Sequence, residues 1–163
     1  MLIVVGSDHR GFEYKEALSS ILEKHSHQAI DVGPYNNQIS VDYPEYASRL
    51  AAEINYWHNK NHVAFGVLVC GSGIGVAMAA NRVPGIRAAT CRTITDAKMA
   101  RLHNNANVVC IGADVTDLNM ASVIVRAFID SPFDGGKRHQ RRVDQLDWIV
   151  YDRRRELENK DAR

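Results

Sequence analysis

Four stretches hold residue types that can do chemistry. In "VLVCGSGIGVAMAANRV" a run of strand-forming residues ends in Cys70, and glycines follow at 71, 73 and 75 with Ser72 between the first two. Glycines let backbone N–H groups converge on one point and let a ligand come close, and a helix starting near Gly73 would add its positive end. That composition suits an anion; a tight strand-to-helix turn also favours glycine. A thiol beside such a loop has two readings. A thiolate favoured by a helix N-terminus can act as a nucleophile or as a proton-abstracting base, whereas many cysteines are simply buried. Cys91 and Cys110 lack any glycine loop and fit the second reading.

The other three stretches are "SDHRG", "RLHNNANVV" and "GGKRHQRRV". The first sets Asp8, His9 and Arg10 on one loop, where Asp8 could equally cap a helix. The second supplies His103, an acid/base residue type, with Asn104 and Asn105, which often end helices in a left-handed turn. The third gathers Lys137, Arg138, His139, Arg141 and Arg142, either a solvated patch or a phosphate clamp, since guanidinium forks match phosphate oxygens.

Several classes are disfavoured. "GSGIG" does not have the spacing of a dinucleotide loop, and no Walker lysine follows. A thiol phosphatase needs an arginine in its cysteine loop, and the position six past Cys70 is Val76. No HExxH or paired CxxC suggests a metal, so neither metal nor cofactor is expected. A net charge of +1 gives no global case for nucleic acid. No apolar run approaches the roughly 18 residues of a membrane span, and "MLIVVGSDHRG" lacks the plan of a signal peptide. Three widely spaced cysteines form no disulfide framework, which leads to the expectation of a reduced, cytoplasmic protein.

The elements that must position these residues alternate along the 163-residue chain. "LIVVGS", "QAIDVG", "VAFGVLV", "GIRAATC" and "ANVVCIGA" read as buried strands. Helical spacing fills "GFEYKEALSSILEKH", "PEYASRLAAEINYWHN", "GVAMAANRV", "TDAKMARLHNN" (capped by its Thr or Asp) and "LNMASVIVRAFIDS". The pattern predicts a three-layer α/β/α fold around a five-stranded parallel sheet. One α/β domain is expected over residues 1–143, with a C-terminal helix and charged tail over 144–163. Ligands in such folds bind beyond the carboxyl ends of the strands, where Asp8, Cys70 and Asp114 fall.

Five blocks, "SDHRGFEYKEAL", "DYPEYASRLA", "CGSGIGVAMAANRVPGIRAA", "ARLHNNANVVCIGA" and "GGKRHQRRV", resemble in order the sugar-phosphate isomerase family. That family contains ribose-5-phosphate isomerase B and the galactose-6-phosphate isomerase subunits. The resemblance runs from the first strand to about residue 148. It implies a Rossmann-like sheet and a homodimer, in some members paired into a tetramer, with active sites shared between subunits. It implies metal-free interconversion of ribose 5-phosphate and ribulose 5-phosphate. By position, Cys70 matches the base that moves the proton between C1 and C2, and Gly71, Ser72, Gly73 and Gly75 match the cradle for the enediolate oxygen. His103 matches the ring-opening residue and Asn104 a sugar contact from the same subunit as His103. Asp8 and His9 match sugar and phosphate contacts, Tyr43 lies near the sugar, and Arg138 and Arg142 match phosphate arginines.

Three positions depart from that pattern. Ser72 stands where threonine is common. Asp114 stands where members acting on ribose 5-phosphate usually carry a phosphate-binding arginine, and Arg10 stands where a small or apolar residue is usual. Arg10 could supply the missing charge as a phosphate contact, or the substrate could be a six-carbon 6-phosphate of the allose or galactose type. One extra residue after "GG" leaves both Arg141 and Arg142 open as the second phosphate arginine. The rival classes are a non-catalytic phosphate or nucleotide module and a covalent cysteine enzyme.

Overall fold

The computed structural model describes residues 1–161, with side chains through Ile149. The strands are β1 (Leu2–Ser7), β2 (Gln28–Asp31), β3 (Ala64–Cys70), β4 (Ala88–Thr90) and β5 (Val108–Gly112). The helices are α1 (Phe12–Lys24), α2 (Tyr43–Asn59), α3 (Ile74–Ala80), α4 (Ile94–Asn104), α5 (Leu118–Asp130) and α6 (Lys137–Asp161). All strand pairs are parallel, in the order β2-β1-β3-β5-β4.

That order and the right-handedness of crossovers decide which face each helix covers. The chain steps one way from β1 to β2 and the other way from β2 to β3, so α1 and α2 must lie on opposite faces. It continues past the β5 position to β4, which keeps α3 beside α2, and then turns back to β5, which puts α4 beside α1. The two cores follow this rule. Ile3, Val5, Val67, Val69, Val109 and Ile111 meet Leu18, Leu22, Ala97, Ile124 and Phe128 on one face. Val4, Leu68, Cys70, Val108 and Cys110 meet Leu50, Ile54, Val76 and Ala80 on the other. With both faces covered the central strands are apolar throughout, and each fully buried Val, Leu or Ile contributes about 1.5–3 kcal/mol of transfer free energy.

Local signals set the helix ends. Pro44 falls in the first turn of α2, where its missing N–H has no helical partner to lose. The cap of α4 is Thr93, not Thr95 or Asp96. Thr93 accepts the Asp96 N–H at 3.0 Å while Asp96 accepts from the Thr93 N–H at 3.0 Å, a reciprocal capping box that the sequence reading started two residues late. The Arg92 N–H, followed by the hydroxyl and N–H of Thr93, holds the Asp96 carboxyl below its ordinary range. The basic stretch after Gly136 forms the first turns of α6, so the expected boundary at 143/144 falls inside a helix. Residues 162–163 of the expected tail lie outside the described residues.

Candidate active site

The strand order reverses between β1 and β3, which opens a crevice at their carboxyl ends. Cys70 ends β3, is 4% exposed, and lies on the α2/α3 face. Its Sγ accepts the Gly73 N–H at 3.2 Å, and Ser72 Oγ accepts the Ile74 N–H at 3.3 Å. Gly73 has φ +74°, and a Cβ there would come within 2.9 Å of the Ile111 carbonyl carbon, so the loop needs glycine on two counts. The helix that follows has only seven residues. The cradle is therefore chiefly a matter of the local N–H groups of its first turn.

The neighbouring loops clamp this turn from both sides. Ala113 N–H donates to Cys70 O and Asp114 N–H to Gly71 O, each at 2.9 Å, while Thr90 Oγ1 donates to Gly73 O at 2.8 Å. Gly112 is bare where a Cβ would stand 2.6 Å from Ser72 O. From the β1 side, Asp8 N–H donates to Val69 O at 3.1 Å. The buried Asp8 carboxylate accepts the Arg10 and Gly11 N–H groups, both at 2.9 Å, immediately before α1. The N-cap of α1 is Gly11, with no side-chain cap, so Asp8 closes a turn ahead of the helix rather than capping it as the sequence allowed. His9 Nδ1 stands 3.2 Å from both the N and the O of Val41, so the ring engages the Val41 backbone in either tautomer, donating to the carbonyl or accepting the N–H. Tyr43 reaches the same crevice, since a Cβ on Gly75 would lie 2.7 Å from its ring and 2.9 Å from its hydroxyl.

Arg10 and Asp114 meet each other across the crevice. Arg10 donates to Asp114 Oδ2 from Nη2 at 2.7 Å and from Nε at 3.1 Å. Both side chains are about half exposed and lie over Gly71, where a Cβ would strike Asp114 Oδ2 at 2.6 Å. The hydrogen bond and charge of Asp114 raise the Arg10 pKa further.

The remaining sequence-selected residues lie at the other end of the sheet. His103 and Asn104 close α4 just before β5 begins at Val108, whereas Cys70 is in register with Gly112 at the far end of that strand. Four residue steps at about 3.3 Å put these levels roughly 13 Å apart. Asn105 turns the chain with φ +45°. Arg101 holds that turn, donating from Nη1 to Ala106 O at 2.6 Å and to Asn105 Oδ1 at 2.8 Å. Burial lowers the Arg101 pKa, with the Arg87 charge adding to the effect. Arg138 and Arg142 stand exposed on the first turns of α6, and α6 packs on α4. A cleft of about 420 Å³ adjoins Asn104, lined also by Asn81, Arg87, Asp147 and Ile149. One chain thus assembles Cys70, the glycine loop, Asp8, His9, Arg10 and Tyr43 at one end, and His103, Asn104, Arg138 and Arg142 at the other.

Other features stand apart from both groups. Burial pushes the Cys91 thiol up to about 12 and the Cys110 thiol well above its ordinary value, as fits core residues. A cavity of about 260 Å³ between α1 and α5, with His25 and His27 at its edge, lies at the amino end of the strands, away from the glycine loop. Sequence reasoning missed Gly11 and Gly112, which let α1 and the β5 loop press against β3 and the glycine loop. The advance signal was a glycine just before α1 and another at the end of β5.

A parallel sheet with a buried thiol and a glycine loop at its switch point has the architecture of the α/β proteins that bind small ligands there. The particular family follows from comparison. A family model described as Ribose/Galactose Isomerase matches residues 3–146, and the chain belongs to that family of sugar-phosphate isomerases. It is 38% identical over 150 residues to ribose-5-phosphate isomerase B of Mycolicibacterium paratuberculosis, covering 90% of this chain and 89% of that one. It is 37% identical over 144 residues to the Escherichia coli enzyme of the same name, covering 88% and 93%. The structure of Clostridium thermocellum ribose-5-phosphate isomerase B superposes with a TM-score of 0.86 at 38% identity, covering 93% of this chain and 99% of that one. The Mycoplasma genitalium enzyme with bound ribulose-5-phosphate does so with a TM-score of 0.84 at 36% identity, covering 90% and 94%. The Rossmann-like fold and family membership expected from the five blocks are therefore established. Among the described residues no helix is long and apolar enough to cross a membrane.

Proposed function

We propose that the chain interconverts ribose 5-phosphate and ribulose 5-phosphate through an enediolate, with Cys70 as the base. The observation that carries this reading is the Gly73 N–H on Cys70 Sγ, inside a loop where glycines 71, 73 and 75 stand too close to their neighbours for a side chain. A hydrogen bond of that kind strengthens as sulfur gains charge. The thiolate takes the proton from C2 of the open-chain aldose. The electron pair left on carbon forms the C1–C2 double bond, and the carbonyl electrons move onto O1. The loop N–H groups not already spent on Cys70 Sγ and Ser72 Oγ, those of Gly71, Ser72 and Gly75, stabilise that oxygen without having to reorient. O1 then gains a proton, the proton on O2 is lost, and Cys70 returns its proton to C1, giving the ketose.

His103 opens the sugar ring before this step, by moving a proton to the ring oxygen, with Asn104 on a sugar hydroxyl. Arg138 and Arg142, with His9, take the phosphate, whose binding energy orients carbons several bonds away. Cys70 and His103 cannot serve one sugar from a single chain, given the roughly 13 Å between their levels along β5. The account therefore needs a homodimer in which one copy brings Cys70 and its partner brings His103. Ile74 and Met78, 47% and 62% exposed and one turn apart on α3, leave an apolar surface beside the glycine loop for such a contact. Three free cysteines are in keeping with work in a reducing compartment such as the cytoplasm.

A second reading rests on the Arg10–Asp114 pair. Paired to a carboxylate, Arg10 brings no net charge to a phosphate, while the pair offers both a donor and an acceptor to sugar hydroxyls. That favours a longer sugar, a six-carbon 6-phosphate. The test incubates pentose and hexose phosphates with the protein in deuterated water. Deuterium at the C1 or C2 carbon with ketose formed from ribose 5-phosphate supports the first reading, and preference for a hexose phosphate supports the second. Binding with no exchange, or a trapped thioester, defeats both.

A further inference from the structure

The His103 ring does not stand alone. It lies flat on the ring of His139, with centroids 4.4 Å apart and planes 9° from parallel. His139 belongs to the first turn of α6 and is 5% exposed, while His103 is half-buried. The Nε2 atom of His139 accepts the Nε–H of Arg138 at 3.0 Å. A guanidinium N–H can only donate, so this nitrogen is bare and the ring is neutral, with its proton on Nδ1. Asp134 Oδ2 stands 3.7 Å from the same nitrogen, too far for a hydrogen bond.

The surrounding backbone is arranged to hold this plate. Asp134 N–H donates to Leu102 O at 3.0 Å, tying the α5–α6 loop to the last turn of α4, and His139 N–H donates to Gly136 O at 2.8 Å. Val143, one turn further along α6, is 3% exposed and fixes the same helix face. Arg138 spends only its Nε on His139, which leaves the Nη1/Nη2 edge, the fork that grips a phosphate, free of any partner among the described residues.

We propose that His139 is a positioning residue that joins phosphate capture to ring opening: its neutral imidazole anchors Arg138 at one edge and supports the His103 ring on its face. The inference rests on the sugar-phosphate isomerase reading. It deepens that reading by giving the amino-end group one internal structure in place of a set of independent side chains. The charged groups facing His139 are Arg138 on its own helix and Asp134 on the preceding loop, with His103 the titratable group across from it on α4. Protonating Nε2 would exchange the Arg138 bond for an Asp134 pair, so the neutral ring is the form that serves both neighbours.

Two substitutions separate the two tasks. His139→Phe keeps a flat plate and removes the acceptor. It should keep turnover of cyclic ribose 5-phosphate near the wild-type value and raise the Michaelis constant. His139→Gln keeps an acceptor and removes the plate. It should hold the Michaelis constant and lower that turnover by on the order of 10²-fold, the scale for a misplaced reacting group. Solvent-deuterium exchange into saturating ribulose 5-phosphate, which needs no ring opening, should fall far less in His139→Gln. Phe and Gln variants that behave alike, or equal losses of turnover and exchange, overturn the proposal. A wild-type protein that turns over no sugar phosphate overturns the isomerase reading instead, and the side-chain arrangement stays readable by NMR. The His103 Cε1–H resonance should move in His139→Gln and hold closer to wild type in His139→Phe; an unmoved resonance in His139→Gln counts against the plate.

Discussion

The two ends of the sheet are built from different materials. At the carboxyl end the backbone itself makes the site: Cys70 O and Gly71 O accept N–H groups from the β5 loop, and Gly73 N–H reaches Cys70 Sγ. Five glycines there, at 11, 71, 73, 75 and 112, stand where a methyl group would come closer than 3.0 Å to a neighbour. At the amino end side chains make the site: the His103–His139 stack, Arg138 on His139, and Arg87 on Asp147 at 2.9 Å. The difference teaches a division of labour. Fixed dipoles suit the place where charge develops, because they need not reorganise as it appears. Long side chains suit the place where a ring and a phosphate must be gripped and released. It also separates the proposed base from the proposed phosphate cations, which is why a second copy enters the account.

The largest expected break in this comparison is chemical. Cys70→Ala should lower isomerisation by roughly 10²–10⁴-fold or more, the usual worth of a positioned base, with an unchanged circular dichroism spectrum. Substantial turnover by the purified variant would move the base to another residue. Next comes a contrast in stability. Gly73→Ala forces a side chain into φ +74° and against Ile111, so its urea midpoint should fall by an equivalent of about 1–2 kcal/mol or more. Arg138→Ala, at the side-chain end, should leave the midpoint in place and raise the Michaelis constant. The reverse pattern would contradict the division between backbone-built and side-chain-built ends.

Thiol labelling sharpens the comparison further. Cys91, pushed up to about 12 by burial and next by Asp96, and Cys110, raised well above its ordinary value by burial, stay protonated across pH 7–9. Neither should react with a thiol reagent at an appreciable rate in that window until urea unfolds the chain. Mass spectrometry identifies the labelled positions, and early modification of Cys110 would contradict its place in the core. The smallest effect is expected at the mouth of the crevice. The Arg10–Asp114 pair is half exposed, so Asp114→Asn should change the Michaelis constant by ~5-fold or less, downward if freed Arg10 then reaches the phosphate. Arg10→Ala and Asp114→Asn effects that simply add in a double-mutant cycle on substrate affinity would show that the pair does not act as a unit at the site.

Much of this was legible in the sequence, for definite reasons. Strands such as "AFGVLVC", buried on both faces, carry no polar residue to blur them, and Gly71, Gly73 and Gly75 marked the loop. The resemblance of the five blocks supplied the residue roles that spacing alone left open. What stayed hidden depends on contacts between distant positions. Arg10 and Asp114 are 104 residues apart, and nothing local announces that they pair. The stack of His139 on His103 requires α6 to begin at Lys137, where the sequence suggested a solvated patch or a phosphate clamp. Tyr43 over Gly75 depends on how α2 crosses its face of the sheet. Thr93 was passed over because Thr95 and Asp96 offered equally suitable cap residues two positions on.

The central claim is that each active site takes Cys70 from one chain and His103 from its partner, and subunit mixing tests it most directly. Cys70→Ala and His103→Ala chains, each inactive on ribose 5-phosphate alone, are unfolded together and refolded as a mixture. In a shared-site dimer, half of the random pairings are hybrids with one intact site of two, so activity should return to about a quarter of the wild-type value. A mixture no more active than either parent would contradict the shared site and return both residues to a single chain.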